Sequence, residues 1–147
     1  CANETEEFRY RFLDGKVVLF NKIDTAFTYL DKETELFRVV NVPMKDTMEE
    51  YVALAAKTAN EQKEYFTGPL GNDVFQFSPM PWVSYTHISH TNSGKKDNAT
   101  PLFDWGKYFE RDGKTLLPFS VQAHHSFVDG LHIGKLADKV QRFLDEY

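Results

Sequence analysis

Two Asp-Gly pairs, Asp14-Gly15 and Asp112-Gly113, constrain what this chain can fold into, because each falls between runs that alternate apolar with polar residues. Phe8-Arg9-Tyr10-Arg11-Phe12 precedes the first and Val17-Val18-Leu19-Phe20 follows it, while residues 102–111 and 115–123 flank the second. A two-residue turn needs left-handed backbone, which Asp-Gly adopts with little strain, and period-two alternation turns one face of each run inward. Two antiparallel hairpins are therefore expected. Strand-like runs at 26–30 and 36–42, the second ending at Pro43, extend the first hairpin into a four-stranded antiparallel meander. Val74 to Ser78 reads as another strand, and Trp82 to Ile88, after Pro79 and Pro81, as one more. The 13 Phe and 7 Tyr fall mostly in these runs, which favours a large sheet.

The pattern changes to helical spacing at two places. From Asp46, an N-cap with Glu49 three residues on, Met48, Tyr51, Val52, Ala55 and Ala59 recur on one face, giving a helix to about Tyr65, before Gly68-Pro69. Near the end, Leu131, Leu136, Val140, Phe143 and Leu144 form one stripe, and Asp129-Gly130 marks its start. Residues 89–100 hold almost nothing apolar and read as a surface loop. Strands outnumber helices, so the expected fold is mixed α/β: a largely antiparallel sheet with helices packed on one face, one domain spanning residues 1–147.

Composition narrows the function. With 22 acidic and 17 basic residues the net charge of −5 offers no general attraction to phosphate, so nucleic acid is not an expected partner. There is no run of 18 apolar residues and no basic-then-apolar start, so neither a membrane nor export is expected, and the cytoplasm suits the chain. The single cysteine, Cys1, leaves no intrachain disulfide and no internal thiol for catalysis or zinc. The opening Cys1-Ala2-Asn3-Glu4 has no initiator Met and reads as the end of a helix, as if the chain began inside a longer protein.

The stretch His124-His125-Ser126-Phe127-Val128-Asp129-Gly130 concentrates the chemistry. Strand alternation groups His124 with Ser120 and Gln122 and sends His125 the other way, so one imidazole faces a given cleft. An imidazole near neutral pH can take a proton from an alcohol as that alcohol attacks a thioester. Such a reaction needs neither an enzyme nucleophile nor a metal, but it does need a hydroxyl donor for the oxyanion. Spacing alone leaves four readings open: a general base, a structural histidine pair, a zinc site on His124, His125 and Asp129, and a Ser126-His125 nucleophile pair. The zinc reading lacks a nearby cysteine or third histidine, and sequence neighbours rarely bring a serine Oγ to an imidazole. Asp129 by itself reads as a helix cap.

The segment Gln122 to His132 resembles the His-His-x-x-x-Asp-Gly signature of the chloramphenicol acetyltransferase family, a core shared with dihydrolipoyl acyltransferases and peptide-synthetase condensation domains. Flanking stretches narrow the resemblance to the first family: Glu7-Phe8-Arg9-Tyr10-Arg11, Pro81-Trp82-Val83-Ser84-Tyr85-Thr86, Gly106-Lys107-Tyr108, Asp112-Gly113-Lys114 and Leu117-Pro118. It spans essentially the whole chain. It implies a coenzyme A-dependent acyltransferase fold and transfer of an acetyl group from acetyl-CoA, a co-substrate and not a bound cofactor, to chloramphenicol. Another alcohol as acceptor, or a non-catalytic relative, remains as the alternative. By the same resemblance His125 is the general base, and Ser78 donates to the oxyanion. Asp129 is a structural carboxylate paired with an arginine from a family segment that precedes Cys1, together with the family's first strand and helix. Trp82 and Tyr108 lie along the coenzyme A channel. Thr28, Phe37, Phe66, Ile88, His90, Asp104 and Gln122 line the acceptor pocket, no metal is involved, and three copies assemble with active sites at their boundaries.

Three positions depart from the family, which carries apolar side chains where this chain has His90 and Asn92 and a threonine where it has Asp104. Polar side chains there give up apolar burial and add desolvation cost, and an ionised Asp104 opposes a developing oxyanion. The polarity of residues 89–100 equally fits a solvated loop.

Overall fold

The computed structural model describes residues 1–67, 71–90 and 97–146. After two short 3-10 turns, Ala2–Glu4 and Glu6–Arg9, strands β1 (Tyr10–Leu13) and β2 (Lys16–Leu19) form the first hairpin. Asp14 and Gly15 take φ of 50° and 74°, the left-handed pair that an Asp-Gly turn supplies. The hairpin does not extend into a four-stranded meander. It stands as a separate ribbon from β3 (Asp24–Leu30) and β4 (Phe37–Val42). The reason lies at Ile23, whose backbone is taken by a side chain: Asn3 Nδ2 donates to Ile23 O at 2.9 Å and Ile23 N–H donates to Asn3 Oδ1 at 2.8 Å. With that backbone occupied and Ile23 fully buried, the chain turns away from the ribbon.

The main sheet has five strands in the order β4-β3-β5-β6-β9, with β5 at Val74–Phe77, β6 at Leu102–Trp105 and β9 at Phe119–Gln122. β5 runs parallel to β3 and β6, whereas β3–β4 and β6–β9 are antiparallel. Counting the two ribbons, antiparallel pairs predominate, as expected. The long second hairpin is interrupted. Its tip survives as the ribbon β7 (Phe109–Arg111) and β8 (Lys114–Leu116), while Gly106 N–H donates to Pro118 O at 3.0 Å across the break, where Pro118 has no N–H to return. Residues 82–88 form no strand. β6 is already paired on both edges, and prolines at 79 and 81 remove two donors, so this segment turns through Val83 N–H to Met80 O instead.

Helix α1 spans Met48–Glu61 and starts one residue later than its sequence pattern suggests: Thr47, not Asp46, is the cap, its side chain accepting the Glu50 N–H at 3.2 Å. It ends at Gln62, whose amide nitrogen donates to Val39 O and Glu64 O and fastens the exit to β4. Helix α2 spans Gly130–Glu146. Both helices cover one face of the sheet. Tyr51, Leu54, Ala55 and Ala59 of α1 meet Phe27, Val40 and Val42, and Ile133, Leu136 and Val140 of α2 meet Phe75, Phe103 and Val121. The anticipated α2 stripe is only partly right, because Leu131 and Leu144 stay exposed and Ile133 packs in their place. None of the described helices is long and apolar enough to cross a membrane.

Strand alternation then fixes the other face. Because Phe77, Phe103, Trp105 and Phe119 line the helix side, the residues between and beside them point away from it. That helix-free face carries Thr28, Phe37, Gln76, Asp104, Ser120 and Gln122.

Candidate active site

The double-histidine segment follows β9 as a turn, with Phe127 N–H and Val128 N–H both donating to His124 O at 3.0 and 3.1 Å. The turn separates the two imidazoles more firmly than strand alternation would. The His124 ring is half-buried, edge-on to Phe12 at 5.3 Å, and its Nδ1 accepts the Ser126 N–H at 3.2 Å. Phe127 anchors the turn on the first ribbon, 5.6 Å from Tyr10 and 4.7 Å from Phe12. His125 is exposed, with no hydrogen bond to its ring among the described residues. The structure thus presents one free base on a turn whose neighbours are packed.

Asp129 caps α2, its Oδ1 accepting the N–H of Leu131 at 2.9 Å and of His132 at 3.4 Å. His132, which the sequence reading left unused, closes this corner. Its Nδ1 accepts the Asp129 N–H at 3.0 Å, so the ring proton is on Nε2, which faces Glu7 Oε1 at 3.3 Å. In that tautomer Nδ1 and Asp129 Oδ1, 3.1 Å apart, are both acceptors and make no bond. The spacing of three residues between Asp129 and His132 at a helix start was the available signal.

Ser78 directly follows β5, its N–H donating to Phe103 O at 3.0 Å, and one further step of the parallel register sets it beside Asp104. The next residues run along β6: Met80 N–H donates to Trp105 O at 2.8 Å and Lys107 N–H to Val83 O at 2.8 Å. Trp82 and Tyr108 therefore share the Ser78 end of the sheet, each 65% exposed. Gly106 makes this approach possible, since a Cβ there would lie 2.6 Å from Val83 O and 3.0 Å from the Tyr85 ring.

Several of the expected acceptor residues share the helix-free face. Thr28, Phe37, Asp104 and Gln122 stand on its strands, Phe66 bridges to Val39 beside Thr28, and Ile88 and His90 come from the 81–90 loop. Asn92 lies outside the described residues. His90 is held by Asp104, with Nε2 2.8 Å from Oδ2. Burial pushes the Asp104 carboxyl above the usual carboxylate range, and the His90 bond draws it back only in part. The Tyr85 hydroxyl is likewise raised by burial and by the charge of Asp104.

Ser78 and His125 do not meet within one chain. Gln76, Leu102 and Gln122 are level across the sheet; Ser78 lies two residues beyond that row in one direction and His125 three in the other. At about 3.3 Å per residue, the four residue steps from Ser78 to His124, where the turn carrying His125 begins, come to roughly 13 Å along the strands.

The model of the family described as chloramphenicol acetyltransferase matches residues 1–141. The chain belongs to that family. Among its relatives, a chloramphenicol acetyltransferase of Klebsiella sp is 27% identical over 148 residues, which cover 99% of this chain and 68% of the relative. A solved chloramphenicol acetyltransferase superposes with a TM-score of 0.87 at 28% identity, covering 97% of this chain and 72% of that one. A probable dihydrolipoamide acetyltransferase from Listeria monocytogenes, with a TM-score of 0.64 at 14% identity, covers 97% of this chain and 64% of its own and shares the fold. Membership makes the chain an acyltransferase, and among the described residues no three His, Cys, Asp or Glu side chains cluster so as to hold a metal ion.

Proposed function

We propose that residues 1–147, as one domain, transfer an acetyl group from acetyl-CoA to a hydroxyl of chloramphenicol. His125 takes the hydroxyl proton, the alcohol oxygen attacks the thioester carbonyl, and the Ser78 hydroxyl donates to the oxyanion of the tetrahedral intermediate. Collapse of the intermediate breaks the carbon–sulfur bond, and the departing thiolate recovers the proton from His125. Trp82 and Tyr108 hold coenzyme A, and Thr28, Phe37, Phe66, Ile88, His90, Asp104 and Gln122 hold the acceptor. Asp129 supports the site by keeping α2 and the turn before it in place.

The observation that carries this reading is the unequal pair of histidines, His124 packed against Phe12 and His125 left open to solvent on an anchored turn. The separation of His125 from Ser78 supports a homotrimer in which each site takes its base from one copy and its oxyanion donor from the next, working in the cytoplasm. Release of coenzyme A thiol from acetyl-CoA, followed with a chromogenic disulfide, tests the reading. Chloramphenicol should drive release, and His125→Ala should slow it about 10²- to 10⁴-fold. Mixing His125→Ala with Ser78→Ala copies should restore part of the activity that either lacks alone. No release with chloramphenicol or any other alcohol would refute the assignment.

A further inference from the structure

Asp104 is a buried carboxylate only half satisfied by its own fold. It is fully buried on β6, and while Oδ2 is engaged by His90, Oδ1 has no hydrogen-bond donor among the described residues. The Tyr85 hydroxyl, close enough to feel the carboxylate charge, is also buried without a partner. Ser120 lies directly across the β6–β9 pair from Asp104, and Ser78 beside it on β5. Neither serine hydroxyl makes a hydrogen bond among the described residues. A carboxylate oxygen taken out of water needs donors, and the sheet supplies none to Oδ1. The 81–90 loop lies against Asp104 through His90 and Tyr85. Among the described residues, backbone bonds tie that loop to the sheet as far as Val83, and the His90–Asp104 contact ties it farther along.

We propose that Asp104, oriented by His90, selects the acceptor by taking a second hydrogen-bond donor, a hydroxyl or an ammonium, carried by the alcohol that is acetylated. The proposal rests on the acetyl transfer assigned above and narrows its substrates to alcohols with a further O–H or N–H near the reacting hydroxyl. Chloramphenicol belongs to that class, because it has a secondary hydroxyl and an amide N–H besides its primary hydroxyl. His90 is a positioning residue: by occupying Oδ2 it leaves Oδ1 as the unpaired acceptor. A site built to hydrogen-bond a substrate group rejects the analogue that lacks it, since the buried partner is then left bare in the complex.

Three matched alcohols separate the donors: 2-phenylethanol has none, 1-phenyl-1,2-ethanediol adds a hydroxyl, and 2-phenylglycinol adds an ammonium. For the unmodified protein, kcat/KM should favour at least one donor-bearing alcohol over 2-phenylethanol by 10-fold or more, the loss expected when a bond to a charged group goes unmade. That ratio, measured within each variant, should fall towards one in Asp104→Leu and decline in His90→Leu. Asp104→Asn should lose the ammonium preference before the hydroxyl preference. A ratio near one in the unmodified protein, or an unchanged ratio in Asp104→Leu and Asp104→Asn, overturns the proposal. If no alcohol is acetylated, the catalytic reading fails separately, and calorimetric binding of 2-phenylglycinol against 2-phenylethanol decides the matter. A preference removed by Asp104→Asn sustains the subsite, and equal binding, or none, rejects it.

Discussion

Arg11 should be among the least replaceable residues of the fold. It is 1% exposed, and among the described residues its guanidinium forms no ion pair, with the charge of Asp73 acting on it only from a distance. Nε donates to Asn72 O at 2.7 Å, Nη1 to Phe8 O and Tyr10 O at 2.8 Å each, and Nη2 to Val74 O at 3.1 Å, while the cation lies 5.7 Å from the centre of the Phe75 ring. These bonds join the first ribbon to the entrance of β5. Burial opposes the charge and lowers the Arg11 pKa to about 10, a penalty of roughly 3.5 kcal/mol at ~1.4 kcal/mol per unit below its ordinary value. Four bonds from a charged donor contribute about 6 kcal/mol even at the low end of ~1.5 each, so the guanidinium is stabilising by a few kcal/mol after its desolvation. Arg11→Met keeps the apolar stem but strips the donors from four carbonyls, and it should cost about 3–5 kcal/mol. Arg11→Lys keeps the charge and loses the planar fork, so its loss should be smaller.

Urea unfolding followed by far-ultraviolet circular dichroism reads this difference directly. With a slope near ~2 kcal/mol per molar, Arg11→Met should lower the midpoint by roughly 2 M at unchanged slope. A shift under about 0.5 M, or a methionine variant more stable than the lysine one, would show that desolvation outweighs the carbonyl bonds and would refute the reasoning.

Thr47→Ala removes the hydroxyl that accepts the Glu50 N–H and should cost about 1 kcal/mol in the same assay, whereas Asp46→Ala, one residue earlier, should cost less than half as much. Gly106→Ala forces a Cβ to within 2.6 Å of Val83 O; it should displace the Trp82 turn and raise the KM for acetyl-CoA more than it lowers kcat, as steady-state kinetics at saturating acceptor would show. Asp104, whose folded pKa is raised by burial, should take stability away as pH rises from the ordinary carboxylate value through that raised value. Asp104→Asn should therefore be the more stable form near neutral pH, with the difference shrinking as pH falls through the ordinary carboxylate range, in unfolding curves taken across that range.

The elements that could be read from sequence were those whose signal is local. Asp14-Gly15 and Asp112-Gly113 mark their turns because left-handed backbone selects those residues, and the α1 repeat marks its helix because one face must be apolar. The cap was misplaced by one residue because Asp46, Thr47, Glu49 and Glu50 offer two overlapping cap patterns, and only geometry chooses between them. The meander and the 82–88 strand failed for a different reason. Whether a strand-like run finds a partner depends on which edges are already taken, and that is decided by Asn3 gripping Ile23 twenty residues away and by β9 filling the free edge of β6. The site divides the same way. The turn after β9 and the Asp129 cap were legible because they fall in one contiguous segment, whereas the contact between His90 and Asp104 joins residues fourteen apart through a loop with no periodicity.

That division also explains why the two faces of one sheet can carry opposite duties. The alternation that buries Phe75, Phe77 and Phe103 against the helices obliges Gln76, Leu102 and Asp104 to point the other way, so each aromatic on the stabilising face fixes a neighbour on the helix-free face. A one-residue slip of β6 would bring Asp104 into the aromatic core and turn Phe103 out beside Ser78, destroying core and site together. The apolar face therefore holds the register on which the proposed acceptor residues depend. Within that register, a buried carboxylate can lack a full set of donors at a tolerable cost, provided the missing donor comes with the substrate.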